Sequence, residues 1–124
     1  MGFTTAEPWE EATRTESPPA SAAVNVQGKN AALVVATWRV TATAAGASDQ
    51  TLDMKAQDSD TGTDGSWEDI PGGAFPQVSS YLTMPWRDRL TIRPARKFMR
   101  WVPAQAGTTL SATWGFNVAY HTSG

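Results

Sequence analysis

Strict alternation of apolar and polar side chains most narrows what this chain can fold into. Across residues 34–43, Val34, Ala36, Trp38, Val40 and Ala42 fall on one side, and Thr37, Arg39, Thr41 and Thr43 on the other. The rhythm returns across 110–120. There Leu110, Ala112, Trp114, Phe116, Val118 and Tyr120 stand against Ser111, Thr113, Gly115, Asn117 and Ala119. Successive side chains of a strand point to opposite faces, so a period of two predicts antiparallel strands with one face buried and one open. After Ala23 no segment of about ten residues or more carries the period of a helix.

Weaker versions of the pattern fill the space between. Val24 and Val26 alternate with Asn25 and Gln27 ahead of a turn at Gly28-Lys29-Asn30. Ala45-Gly46-Ala47-Ser48-Asp49 turns the chain into a strand with Leu52, Met54 and Ala56 inward and Asp53, Lys55 and Gln57 outward. Residues 58–66 read as a hairpin loop, 67–70 as a short strand, and Pro71-Gly72-Gly73 as its close. Residues 74–94, interrupted by Pro76, Pro85 and Pro94, read as short edge strands or a long crossing connection. A strand over 97–102 sets Met99 and Trp101 against Phe98 and Val102, and Gln105-Ala106-Gly107-Thr108 turns it. About seven or eight short strands, with turn signals about every 8–12 residues, predict an all-β antiparallel β-sandwich, jelly-roll or immunoglobulin-like.

Residues 1–22 lack this rhythm. Pro8, Pro18 and Pro19 interrupt them, and Glu7, Glu10, Glu11 and Glu16 stand against the single Arg14. They are expected to form an extended N-terminal arm ahead of one sandwich domain over 23–124. The arm reads as a frayed terminus, with a short helix over 8–13 admissible if Thr5 caps it and Pro8 sits in its first turn. It also reads as a tether that orders on a partner, with Phe3 and Trp9 as apolar anchors.

Composition removes most chemistry. The chain has no cysteine, which rules out disulfides, thiolate metal sites and a cysteine nucleophile. Its one histidine, His121, cannot supply a multi-histidine metal site or a convincing nucleophile–histidine–acid set. A pair of carboxylates of the glycosidase kind is compatible with composition, but a sandwich this small offers little room for a cleft. A non-catalytic protein without a cofactor is expected. No run of about 18 apolar residues predicts a membrane span, and the start of the chain lacks the basic and apolar stretches of a secretory signal. A net charge of −2 argues against nucleic acid.

Three features remain as candidate sites. Asp58, Asp60 and Asp64 are spaced like carboxylates of a calcium loop, but Gly62, Thr63 and Asp69 fall where an EF-hand wants an Asp or Asn, a Gly and a Glu. A plain hairpin loop, with no metal, is the preferred reading. Arg87, Arg89, Arg93, Arg96, Lys97 and Arg100 gather six of the ten basic residues. They form either a solvated face balancing the seven carboxylates of 49–69 or a patch that docks on an acidic surface, including a neighbouring copy of the chain. Of the six tryptophans, Trp38, Trp101 and Trp114 sit on inward rows and read as core. Trp9, Trp67 and Trp86 lie in or beside irregular segments, where exposed rings would serve a sugar platform or a protein contact.

One ordered set of motifs carries a family resemblance. Thr51-Leu52-Asp53-Met54-Lys55-Ala56-Gln57-Asp58-Ser59-Asp60 leads into Ser66-Trp67-Glu68-Asp69-Ile70-Pro71-Gly72-Gly73-Ala74-Phe75. Ala95-Arg96-Lys97-Phe98-Met99-Arg100-Trp101 and Ala106-Gly107-Thr108-Thr109 follow. Over about residues 33–119 this order resembles small virion proteins of tailed bacteriophages, of the capsid decoration (cement) type. The resemblance implies a β-sandwich with no active site, made in the host cytoplasm and placed on the capsid surface of the virion. It implies the major capsid protein as partner, together with copies of the chain itself, a trimer favoured. Phe3, Trp9, Arg87, Arg89, Arg93, Arg96 and Lys97 are then the expected contacts. A tail, baseplate or neck module, using Trp67 and Trp86 on a host glycan, is the alternative.

Overall fold

A computed structural model describes residues 2–27, 31–43, 50–79, 84–93, 95–107 and 111–122. The turns expected at 28–30 and 45–49 lie outside the described residues, as do Pro94, Thr108 and Leu110. Among the described residues the chain forms β1 (Gly2–Arg14), β2 (Val24–Asn25), β3 (Ala31–Thr43), β4 (Thr51–Ser59), β5 (Glu68–Ala74), β6 (Val78–Ser79), β7 (Trp86–Ile92), β8 (Phe98–Ala106) and β9 (Ala112–Thr122). One sheet has the order β1-β9-β3-β7 and the other β2-β8-β4-β5, with β6 paired to β4. All pairings are antiparallel. Apart from the two-residue β6, this is the connectivity of an eight-stranded jelly roll, which settles the choice against an immunoglobulin-like order.

The expected inward rows form the core. Val34, Ala36, Trp38 and Val40 of β3 and Ala112, Trp114, Phe116, Val118 and Tyr120 of β9 are buried. Across from them lie Leu52, Met54 and Ala56 of β4 and Met99 and Trp101 of β8. Phe116 meets Trp101 at 4.8 Å and Phe75 at 5.9 Å between ring centroids, joining the two sheets with edge contacts that aromatic quadrupoles favour.

Ala42, expected on the inward row, is exposed. The β3–β9 register shifts between Val40 and Ala42, and a one-residue bulge moves every later side chain to the other face. Pro71-Gly72-Gly73 does not close β5 but lies within it, where the register slips between Lys55 and Gln57 and Gly72 takes φ +74°. β8 likewise runs on through Gln105 and Ala106.

The largest correction concerns the arm. Residues 2–14 are a strand of the sandwich, paired with β9 from Gly2↔Thr122 to Arg14↔Ala112, and 8–13 is not helical. Pro8 falls where the register shifts between Ala6 and Trp9 on an edge strand, so its missing N–H leaves no ladder bond unmade. Trp9 then packs on Trp114 and Phe116 at 5.6 and 5.8 Å, and the Arg14 guanidinium lies 4.3 Å over the Trp114 ring. Residues 15–23 carry the chain to the second sheet. Ser17 and Ser21 pin this crossing by exchanging hydrogen bonds with the backbone of Gln105 and Trp101.

Candidate binding face

The outer face of the β1-β9-β3-β7 sheet is built from the polar rows of its strands. β3 contributes Val35, Thr37 and Arg39, β9 contributes Gly115, Asn117 and Ala119, and β1 contributes Thr5 and Glu7. β7 adds Arg87 and Arg89, whose register partners on β3 are Arg39 and Thr37. A groove of about 550 Å³ crosses this face, lined by Thr5, Glu7, Val35, Thr37, Arg89, Asn117 and Ala119 among others. A second hollow, formed by Thr37 and residues 87–89, adjoins it.

One side chain organises the floor of the groove. With its amide turned to the orientation that satisfies both neighbours, Asn117 donates to Glu7 Oε2 at 2.8 Å and accepts from Arg39 Nη1 at 3.0 Å, tying β1, β9 and β3 together. Arg39 extends over Gly115, where a Cβ would stand 2.7 Å from Nη2 and 3.1 Å from the Glu11 backbone nitrogen. The glycine is therefore a clearance for the guanidinium. Arg39 and Arg87 stand directly opposite on neighbouring strands, a like-charge pair on the outer face.

The basic segment divides in two. Arg96 donates to Glu68 at 2.8 Å and lies 3.6 Å from Asp58, while Arg100 donates to Gln57 and stacks 4.5 Å over Trp67. Lys97 lies 5.3 Å over the Phe98 ring. Arg87 and Arg89 are exposed, and none of the salt bridges among the described residues reaches them. Arg93 is exposed at the end of β7. The expected patch is thus two surfaces, one engaged with the 58–69 loop and one open on β7.

That loop folds on its own hydroxyls. Ser59 Oγ accepts from the backbone of Thr61 and Gly62 and bonds to Ser66 Oγ at 2.6 Å. Among the described residues no three acidic or histidine side chains converge as a metal site. Burial pushes the Asp58 carboxyl above the usual carboxylate range, with Arg96 opposing it, whereas bonds from Gln57 and Lys55 hold Asp69 below that range.

The aromatic candidates turn inward or are covered. Trp86 is half-buried, edge-on to Trp38 at 5.5 Å, and Trp67 is half-buried under Arg100. Trp9 is a core-flanking residue. Phe3 pairs through its backbone with His121, and its side chain lies outside the described residues. Sequence reading missed Arg39, Asn117 and Glu7 as one group. Each stood in plain view, Arg39 and Asn117 in outward rows, but only the register of β1, β9 and β3 brings them together.

Comparison by sequence finds no matching family and no matching curated protein. By structure the chain is similar to the CBM22-1 xylan-binding domain of Paenibacillus barcinonensis Xyn10C, with a TM-score of 0.53 at 11% identity over 99% of this chain and 88% of that one. It is similar to the K1 cleaved adhesin domain of Lys-gingipain from Porphyromonas gingivalis, with a TM-score of 0.52 at 11% identity over 97% and 73%. It also resembles a chain of infectious bursal disease virus, with a TM-score of 0.52 at 10% identity; 95% of this chain matches but only 31% of the viral one. At such identities the likeness is one of fold. The chain is an all-β protein, a two-sheet antiparallel sandwich.

Proposed function

We propose that the chain is a non-catalytic decoration (cement) subunit of a tailed-phage capsid. It binds the outer surface of the assembled shell and bridges major capsid subunits through the open face of its four-stranded sheet. The observation that carries this reading is the groove across that face. Its described lining of Thr, Asn, Arg, Glu, Val and Ala offers hydrogen-bond donors, acceptors and small apolar surface to a protein segment laid along the sheet. Support also comes from the ordered motifs over about residues 33–119. Contacts made only to an expanded shell stabilise that state by mass action, and repetition over a lattice multiplies a modest single affinity. Co-sedimentation with expanded and unexpanded shells tests this. Selective binding to expanded shells, lost on Thr37→Glu in the groove, is expected; equal or no binding to either overturns it.

Glycan binding is the second reading, in a tail, baseplate or neck module, because the same hydroxyl, amide and guanidinium groups can hydrogen-bond a polyol. It predicts saturable binding of a soluble oligosaccharide that Asn117→Ala weakens, and isothermal titration calorimetry decides it.

A further inference from the structure

The four-stranded sheet ends in two edges of opposite charge. β1 closes one side with Glu7, Glu10 and Glu11 exposed, and β7 closes the other with Arg87 and Arg89 exposed. None of the salt bridges among the described residues reaches Glu10, Glu11, Arg87 or Arg89. The acidic 58–69 loop is a poorer match for these arginines. Arg96 already holds Asp58 and Glu68, and Lys55 and Gln57 hold Asp69.

Strand direction gives a second, independent fit. Each neighbour along β1-β9-β3-β7 is antiparallel, so β1 and β7 run in opposite senses. When an identically oriented copy is set beside the first, its β1 lies antiparallel to the first copy's β7. The alternation then continues across the junction. Pro8 and the register shifts on either side of Trp9 interrupt the free backbone of β1. The contact is therefore carried by side-chain charge and not by an extended ladder, and those same features deter indiscriminate edge pairing.

We infer that copies of the chain associate head to tail, the β7 edge of one against the β1 edge of the next, with Arg87 and Arg89 facing Glu10 and Glu11. Such a heterologous contact uses two different patches, so it closes into a ring or runs on as a filament. The inference goes beyond the shell-binding reading and stands without it, since its test uses the isolated chain.

The test is sedimentation velocity with native mass spectrometry at low and high ionic strength. The wild-type chain is expected to assemble at low salt and dissociate as salt rises. Arg87→Glu with Arg89→Glu makes both edges acidic, and Glu10→Arg with Glu11→Arg makes both basic. Each variant alone is expected to associate on the order of a hundredfold more weakly. Mixed in equal amounts they are expected to assemble again with the two variants alternating, so that any closed ring holds an even number of chains. That recovery also shows that both variants are folded, and circular dichroism checks each separately. A monomeric wild-type chain at low salt, association indifferent to salt, or a mixture no better than its components overturns the inference.

Discussion

The Arg39 guanidinium lies over Gly115, its Nη2 2.7 Å from where a Cβ on that glycine would be. Beneath it the Glu11 backbone stands 3.1–3.2 Å from the same point. The guanidinium can swing aside, but the β1 backbone cannot move without loosening its pairing to β9. Gly115→Ala is therefore expected to destabilise the fold by about 1–3 kcal/mol. Arg39→Ala with Gly115→Ala should cost less than the two changes summed, because they share this contact. Urea midpoints of the three variants check the expectation.

Phe116 contacts Trp9, Phe75 and Trp101, and is fully buried. Phe116→Ala is expected to cost about 3–5 kcal/mol, since three surrounding rings cannot collapse into the space together. Trp9→Ala, on a half-buried ring at the sheet edge, should cost less, about 1–3 kcal/mol. Chemical denaturation of both variants gives the ranking, and a Trp9 variant as stable as wild type would show that the ring contributes nothing to the core.

Asp58 and Asp69 respond to acid in opposite directions. Burial raises Asp58, so the folded state holds its proton more tightly than the unfolded chain does. Its penalty is present above the raised value and is relieved as pH falls through it. Asp69 is lowered by bonds from Gln57 and Lys55, so its contribution is present above the ordinary carboxylate value and is lost as pH falls through the lowered one. Asp58→Asn is thus expected to be neutral or to stabilise by up to about 1 kcal/mol near pH 7. It should also remove the gain on mild acidification. Thermal midpoints of wild type and variant across the acid range read both effects.

Trp67 reports on the junction between the basic segment and the acidic loop, because Arg100 covers it at 4.5 Å. Arg100→Ala is expected to expose the ring and red-shift part of the tryptophan emission. The loss of stability should be about 0.5–2 kcal/mol. Emission spectra and unfolding curves recorded together check it.

The two longest alternating runs were legible as half-buried strands up to the bulge before Ala42, because a period of two on a 13- or 11-residue strand has no helical competitor. β1 was not, for a physical reason. Its pairing is broken by shifts around Trp9, and bulges erase the very alternation that announces a strand. The site was less legible than the fold. Arg39, Asn117 and Glu7 are far apart in the chain, and no local pattern states that β1 and β3 flank β9. The basic run 87–100 was visible as a cluster. Only its register reveals that Arg96 and Arg100 turn to the acidic loop while Arg87 and Arg89 remain open on β7.

The central claim is most directly tested by copy number, measured by quantitative mass spectrometry of purified particles against the major capsid protein. A decoration subunit predicts a ratio within a few-fold of the shell protein. A handful of copies per particle, or none, would contradict shell binding.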